Sequence, residues 1–272
     1  MAIVGPSGCG KTTLLKTIAG ILEESDGQLY WNGRDLADDA ELEPSEVGYV
    51  PQFSVAYEHL TVEESIDSAV KLRVSTLNSR HVDKITDIVL QQTGLEDIAD
   101  RRVRVLSGGQ RRRLGLALEL VSNPKLLLCD EVTSGLDPRS EHDIVHLLHQ
   151  LSQIDERIVI NVTHSLSHLE LYDSILVLYE GCVVYHGPPK AINHYFSVDN
   201  TEDIYPQLAQ RDARDWHESW QKHRLSYYES YGFPKSVVPE EGERPVPVIP
   251  EANGLASTSD EVPDELQSLE GT

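Results

Sequence analysis

The chain has 272 residues, 39% of them hydrophobic, enough for one large domain or two small ones with a packed core. Its formal net charge of −22 argues against general nucleic-acid binding, which needs a positive face, but leaves room for one anionic ligand held locally. The three cysteines, Cys9, Cys129 and Cys182, are odd in number, far apart and without zinc spacing, as expected of a reducing setting, and no apolar run reaches the ~18–20 residues that span a bilayer.

In chain order, Ile3-Val4 reads as a strand remnant, and "GPSGCGKT" (Gly5 to Thr12) follows at once. The spacing G-x-x-x-x-G-K-[ST] predicts a phosphate-binding loop made of Gly5, Pro6, Ser7, Gly8, Cys9, Gly10, Lys11 and Thr12, with Thr13 beside it. Its glycines let backbone N–H groups turn inward, and a helix from Lys11 to Ala19, closed by Gly20, offers its positive end. Lys11 then reaches the terminal phosphates and the Thr12 hydroxyl ligates Mg²⁺. "GQLYWNG" predicts a short strand and an Asn32-Gly33 turn, and "VGYVPQ" a further strand. From about Leu60 to Gln92 the apolar spacing of 3–4 predicts helices, the first opened by a Thr61/Glu64 capping box.

"VLSGGQRRRLGLALELVSN" predicts a loop, Ser107 as N-cap, and a helix. "KLLLCDE" is a continuous apolar strand, of the kind buried on both faces of a parallel sheet. It delivers Asp130 and Glu131 at its C-terminal end, where open α/β sheets bind ligands. Asp130 is placed to hold Mg²⁺ through water and Glu131 to polarise an attacking water. A helix over "RSEHDIVHLLHQLSQI", a buried strand over "RIVINVTH" and a hairpin turning at Glu180-Gly181 follow. "PKAINHYF" and "ARDWHESWQKHRLSYYESY" are amphipathic helices, and the Pro-, Glu- and Ser-rich text after about Pro234 predicts disorder.

"LSGGQ", Leu106 to Gln110, is a second glycine-bearing helix start and so a second anion nest. One nucleotide does not need two nests from one chain, whereas a head-to-tail dimer uses both. With these motifs in this order, residues 1–190 resemble the nucleotide-binding domains of the ATP-binding cassette (ABC) transporter family. "HLTVEESIDSAVKLR", "VLSGGQRRRLGLALELVSNPKLLLCDEVTSGLDP" and "VVYHGPPKAINHYF" are most similar to its G-type exporter branch.

The resemblance implies an α/β P-loop NTPase with a RecA-like parallel-sheet core (residues 1–52 and 106–190) and an inserted helical subdomain (53–105). A helical extension (191–235) and a disordered acidic tail (236–272) would follow. It implies ATP and Mg²⁺ as ligands and ATP hydrolysis as the activity. Gln52 matches the Q-loop and would serve Mg²⁺ with Thr12 and Asp130. Asp137 in "SGLD" matches the D-loop, which talks across the dimer. His164 in "NVTHS" matches the switch histidine, so Glu131, His164 and Lys11 are the expected catalytic set. Ser107, Gly108, Gly109 and Gln110 would close on a partner's nucleotide. The implied partners are a second nucleotide-binding domain and a membrane permease, with the chain at the cytoplasmic face and no nucleic acid. The rival readings are a soluble non-transport ABC protein and a non-catalytic nucleotide-dependent regulator.

Departures from the family pattern carry their own expectations. The family's antiparallel β-region and adenine-stacking aromatic do not precede the loop, so the chain resembles an N-terminally truncated member whose first strand is a short, costly edge. An upstream start, a fragment of a longer fused transporter and a short protein with weak base recognition all fit. Val132 stands where the family usually has proline. Cys9 sits at a helix N-terminus, which predicts a lowered thiol pKa; it is read either as small filler or as a thiol shielded by Mg-ATP. Arg101, Arg102, Arg104 and Arg111 to Arg113 are read as solvated faces or as dimer and partner contacts.

Overall fold

The computed structural model describes residues 1–31, 34–35, 43–53, 56–75 and 78–233. Its strands are β1 (Ala2–Val4), β2 (Tyr30–Trp31), β3 (Arg34–Asp35), β4 (Val47–Val50), β5 (Leu126–Asp130), β6 (Ile158–Thr163), β7 (Ile175–Tyr179) and β8 (Cys182–Gly187). Six of them form one sheet in the order β4-β5-β6-β1-β7-β8. The pairs β4–β5, β5–β6, β6–β1 and β1–β7 are parallel and β7–β8 is antiparallel. The helices are α1 (Lys11–Ile18), α2 (Val62–Arg73), α3 (Ser79–Thr93), α4 (Gly108–Leu120), α5 (Pro138–Ser152), α6 (Pro189–Phe196), α7 (Ile204–Leu208) and α8 (Ala213–Tyr231).

The apolar run over β5 explains the layering. Successive strand residues point to opposite faces. Leu127 and Cys129 accordingly enter a core shared with Ile66, Leu90, Leu116 and Leu148 of α2 to α5. Leu126 and Leu128 enter a second core with Ile3, Leu15, Ile160 and Val162. All five β5 residues are buried, and each fully buried leucine contributes about 1.5–3 kcal/mol by its removal from water. A strand this apolar is stable only when covered on both sides, which the two cores provide.

β1 does not lie at an edge, contrary to the sequence expectation. It is the fourth strand of six and pairs on both sides, Ile3 with Val162 of β6 and with Leu176 of β7. Its backbone groups are therefore satisfied within the ladder, and Ala2, Ile3 and Val4 are fully buried. Three residues suffice because both neighbouring strands are longer.

Local signals formed as their chemistry dictates. Thr61 and Glu64 close a reciprocal capping box on α2, an arrangement that contributes about 1 kcal/mol. β2 and β3 pair antiparallel, while the Asn32-Gly33 turn lies outside the described residues, as does the acidic tail. Glu180 and Gly181 both adopt positive φ (46° and 79°), the backbone that matches a two-residue hairpin to strand twist. An aromatic seam holds the C-terminal helices to β8: the Tyr185 ring lies 4.8 Å from Trp220, and Tyr195 lies 5.1 Å from the same indole.

Candidate functional site

Parallel strands put their C-terminal ends at one edge of the sheet, and the phosphate-binding signature emerges there, directly after β1. Gly5 passes so close to β7 that an added Cβ would lie 2.2 Å from the Leu178 carbonyl oxygen and 2.7 Å from Cys9 Sγ. The hairpin clasps the loop from the same side, Gly181 donating its N–H to the Cys9 carbonyl at 3.1 Å. Gly10 is the N-cap of α1, in the left-handed region at φ 102°, and no side chain caps the helix. The first-turn N–H groups of α1 are thus left without a capping side chain, which suits an anion. Lys11 is buried and folds over the loop, donating from Nζ to the Gly5 and Pro6 carbonyls at 2.9 and 3.0 Å. Ser7, Gly8 and Thr13 are exposed at the rim.

Asp130 ends β5 and faces the loop. Its carboxylate is nearly buried and accepts from two hydroxyls, Thr12 Oγ1 at 2.8 Å and Tyr49 at 3.0 Å. A threonine hydroxyl has one proton and two lone pairs, so donating to Asp130 leaves the oxygen free to face a cation. Among the described residues no group of three His, Cys, Asp or Glu is set to hold a metal by itself. One carboxylate and one hydroxyl beside a phosphate cradle instead fit Mg²⁺, which takes few protein ligands and completes its sphere with phosphate oxygens and water.

Glu131 follows in a left-handed backbone conformation, φ 49°, with its N–H donated to the Val162 carbonyl at 3.0 Å. A glutamate there costs on the order of 1–3 kcal/mol, a strain that clusters at functional sites. The turn swings its carboxylate toward the ends of β4 and β6. Gln52 Nε2 donates to Glu131 Oε2 at 2.9 Å, and His164 Nδ1 stands 3.9 Å from the same oxygen. Gln52 therefore spends its amide donor on Glu131, and its amide oxygen is the atom left for a cation. Val132, at the family's proline position, is fully buried in the helix-side core.

The signature segment caps itself. Ser107 Oγ accepts the Gln110 N–H at 3.3 Å, and Gln110 Oε1 accepts the Ser107 N–H at 2.9 Å. Gly108 and Gly109 pack against Leu136 and Ser140, where an added Cβ would approach to 3.3 and 3.4 Å. Asp137 is the N-cap of α5: its Oδ1 accepts the N–H groups of Arg139 and Ser140, and its Oδ2 the Ser140 hydroxyl at 2.6 Å. These donors hold its carboxyl below the usual range. No described hydrogen bond joins residues 107–110 to the phosphate loop of the same chain.

Two expectations are corrected. The Cys9 thiol is pushed up, not down, because burial against β7 outweighs the nearby Lys11 charge. Cys129 is pushed up more strongly by complete burial. With half-buried Cys182 the most open of the three, an alkylating reagent at pH 8 is expected to label Cys182 first, with Cys9 modified at least ~10-fold more slowly. Mass spectrometry of timed digests checks this; equal rates at Cys9 and Cys182 would show that the loop opens readily. The arginines after the signature are likewise not free solvated faces. Arg112 donates to the carbonyls of Gln52 and Ser134, Arg113 to that of Thr93 at 3.0 Å, and Arg111 to that of Arg104 at 2.9 Å. α4 is thereby tied to the loops around it.

Two site residues gave no signal in the sequence. Tyr49 reads as one more strand residue, yet its hydroxyl serves Asp130. Burial and the Asp130 charge keep that phenol protonated, its pKa pushed well above the ordinary tyrosine value. Tyr205 falls in the C-terminal extension between the two amphipathic helices read there, yet its hydroxyl meets the Gly5 N–H, 200 residues away in the chain.

The ABC transporter family profile matches residues 1–134. The chain is 37% identical over 212 residues to an ABC transporter ATP-binding/permease protein of Mycobacterium tuberculosis, covering 76% of this chain and 24% of that protein. It is 35% identical to ABC transporter G family member 1 of Petunia hybrida, covering 73% and 32%. It thus spans about a quarter to a third of the length of these relatives. It is 36% identical to a phosphonates import ATP-binding protein of a Synechococcus species, covering 71% of this chain and 76% of that one. A solved ATP-binding cassette, in a dimeric post-hydrolysis state bound to ADP and Pi, superposes with a TM-score of 0.59 at 27% identity, covering 69% and 84%.

Proposed function

The chain belongs to the ABC transporter family, and from that premise we propose that it is the ATP-hydrolysing domain that powers export through a membrane permease. The observation that carries the reading is the convergence, at one sheet edge, of the phosphate loop, the Thr12–Asp130 pair and the Gln52–Glu131 pair with His164 beside it.

ATP would seat its phosphates on the loop amides and Lys11, with Ser7 and Thr13 at the rim. Mg²⁺, held by Thr12 with Asp130 and Gln52 nearby, would neutralise charge on the β- and γ-phosphates. Glu131 would take a proton from the attacking water, and Gln52 fixes that carboxylate by donating from Nε2 to Oε2. His164 stabilises the charge that develops on the phosphate oxygens. Ser107, Gly109 and Gln110 would complete the site of a second copy, head to tail; that they cap their own helix while unattached to this chain's loop favours that reading.

Two features support a permease partner. A groove of about 410 Å³ opens beyond β4, lined by Pro51, Tyr57, Leu60 and Leu72 among others. Leu72 and Tyr57 are 87% and 77% exposed, an unusual display of apolar surface next to the Q-loop. No helix among the described residues is long and apolar enough to cross a membrane, so the permease would be a separate chain or another part of a longer one. The exporter reading is supported by the likeness to G family members, and a position at the cytoplasmic face of the membrane would go with it.

The deciding experiment is the mass in solution of Glu131→Gln with and without Mg-ATP. The expected result is a monomer that becomes a dimer with two nucleotides bound. A species that takes up no nucleotide overturns the reading; one that binds ATP yet stays monomeric with its permease present removes the head-to-tail pair.

A further inference from the structure

Val4 and Thr163 are the last paired residues of the β1–β6 ladder. Beyond them the two strands part: Gly5 enters the phosphate loop, and His164 turns toward Glu131. The Tyr205 hydroxyl sits between them. It accepts the Gly5 N–H at 3.1 Å and donates to the His164 carbonyl at 3.0 Å. A phenol has one proton to give and lone pairs to receive, so both capacities are used in the sense the geometry requires. The hydroxyl replaces the next rung of the ladder, at the point where the strands must separate to make the site.

The position of this hydroxyl is over-determined. Ile204 and Leu208, one turn apart on α7 and flanking Tyr205, are fully buried. Trp216 Nε1 donates to the Leu208 carbonyl at 3.1 Å and ties α7 to α8. α8 in turn is fastened to β8 through Trp220 against Tyr185. Gly5 itself is buried and has no other described acceptor for its N–H. The phenol is thus held from the C-terminal side and holds the catalytic edge in return.

We propose that Tyr205 is a positioning residue of the nucleotide site. It bridges the entry of the phosphate loop to the backbone at His164, so that the C-terminal helices set the geometry of hydrolysis. The inference rests on the ATPase reading above for its kinetic consequence, but not for the bridge itself. Both described partners of the Tyr205 hydroxyl are backbone groups, so it acts by keeping the His164 ring in reach of the reacting phosphate and Glu131. Losing the bridge should therefore weaken the chemical step more than nucleotide binding.

The test is Tyr205→Phe in the full chain, which keeps the ring and removes one oxygen. Three readouts are expected. Amide hydrogen exchange over residues 2–8 and 163–167 rises without nucleotide, while the thermal midpoint stays within ~2 °C. kcat falls about tenfold and KM for ATP changes less than about threefold, as for a small misplacement of a catalytic group. In a His164→Ala background, followed by single turnover, the same substitution has little further effect, since residues acting through one another are not additive. Unchanged exchange in Tyr205→Phe overturns the bridge. An equal fall of kcat in both backgrounds overturns the action through His164 and leaves a structural tyrosine. If the parent chain hydrolyses no ATP, the functional reading fails, and the exchange measurement still decides the bridge.

Discussion

Glu131→Gln is expected to cut kcat for ATP hydrolysis by about 10²–10⁴ while Mg-ATP affinity stays within a few-fold, the usual worth of a positioned general base. The substitution is close to isosteric. Its amide oxygen can still accept from Gln52 Nε2, which now lies 2.9 Å from Glu131 Oε2, and the strained turn at φ 49° need not change. What disappears is the proton acceptor at the end of β5. Steady-state phosphate release and equilibrium nucleotide binding measured on the same preparation separate the two effects. Turnover within twofold of the parent chain would remove Glu131 from the chemical step.

The second large effect is steric. Gly5→Ala would place a methyl group 2.2 Å from the Leu178 carbonyl oxygen and 2.7 Å from Cys9 Sγ. The first of these is backbone in a central strand and cannot step aside. The loop must move instead, carrying with it the amides and Lys11 that would hold the phosphates. Mg-ATP affinity is expected to fall by about 10² or more, and stability by about 1–3 kcal/mol, the cost of forcing extra volume into a packed site. Gly8→Ala is the contrast. No atom lies within 4 Å of an added Cβ, so only the left-handed backbone at φ 81° is strained, at about 1–2 kcal/mol. Calorimetric binding and denaturant unfolding of both variants check the pair. A Gly5→Ala chain that binds Mg-ATP as the parent does would contradict the close approach of loop and β7.

Much of this molecule was legible without coordinates, for identifiable reasons. The helices over 62–73 and 79–93 were visible because their apolar residues recur at helical spacing, and the start of the first was marked by Thr61 and Glu64. The buried strand ending at Asp130 was visible because only a strand covered on both faces tolerates so continuous an apolar run. The hairpin at Glu180-Gly181 was marked by its turn residues. Each is a local rule, satisfied by residues within a few positions of one another.

Other features depend on strand order, which no local rule contains. β1 read as an exposed edge because its partners, β6 and β7, lie more than 150 residues away along the chain. A lowered pKa was expected for Cys9 because the helix terminus beside it is local, whereas the strand that buries it is not. Arg112 read as a solvated face or a dimer or partner contact because its acceptors, the carbonyls of Gln52 and Ser134, are brought to it only by the fold.

The amino-acid sequence by itself determined the local motifs of this protein: a glycine-rich loop before a helix, two carboxylates at a strand end and a signature helix with Ser107 as its N-cap, each written in contiguous residues. The tertiary structure alone decided how those parts are held in register. Tyr49 reaches Asp130 across adjacent strands, and Tyr205 returns from 200 residues beyond Gly5 to bridge it to His164. The physical reason is that a hydroxyl forms its hydrogen bonds over ~3 Å of space regardless of separation along the chain, and only the packing of the sheet and its C-terminal helices defines that space.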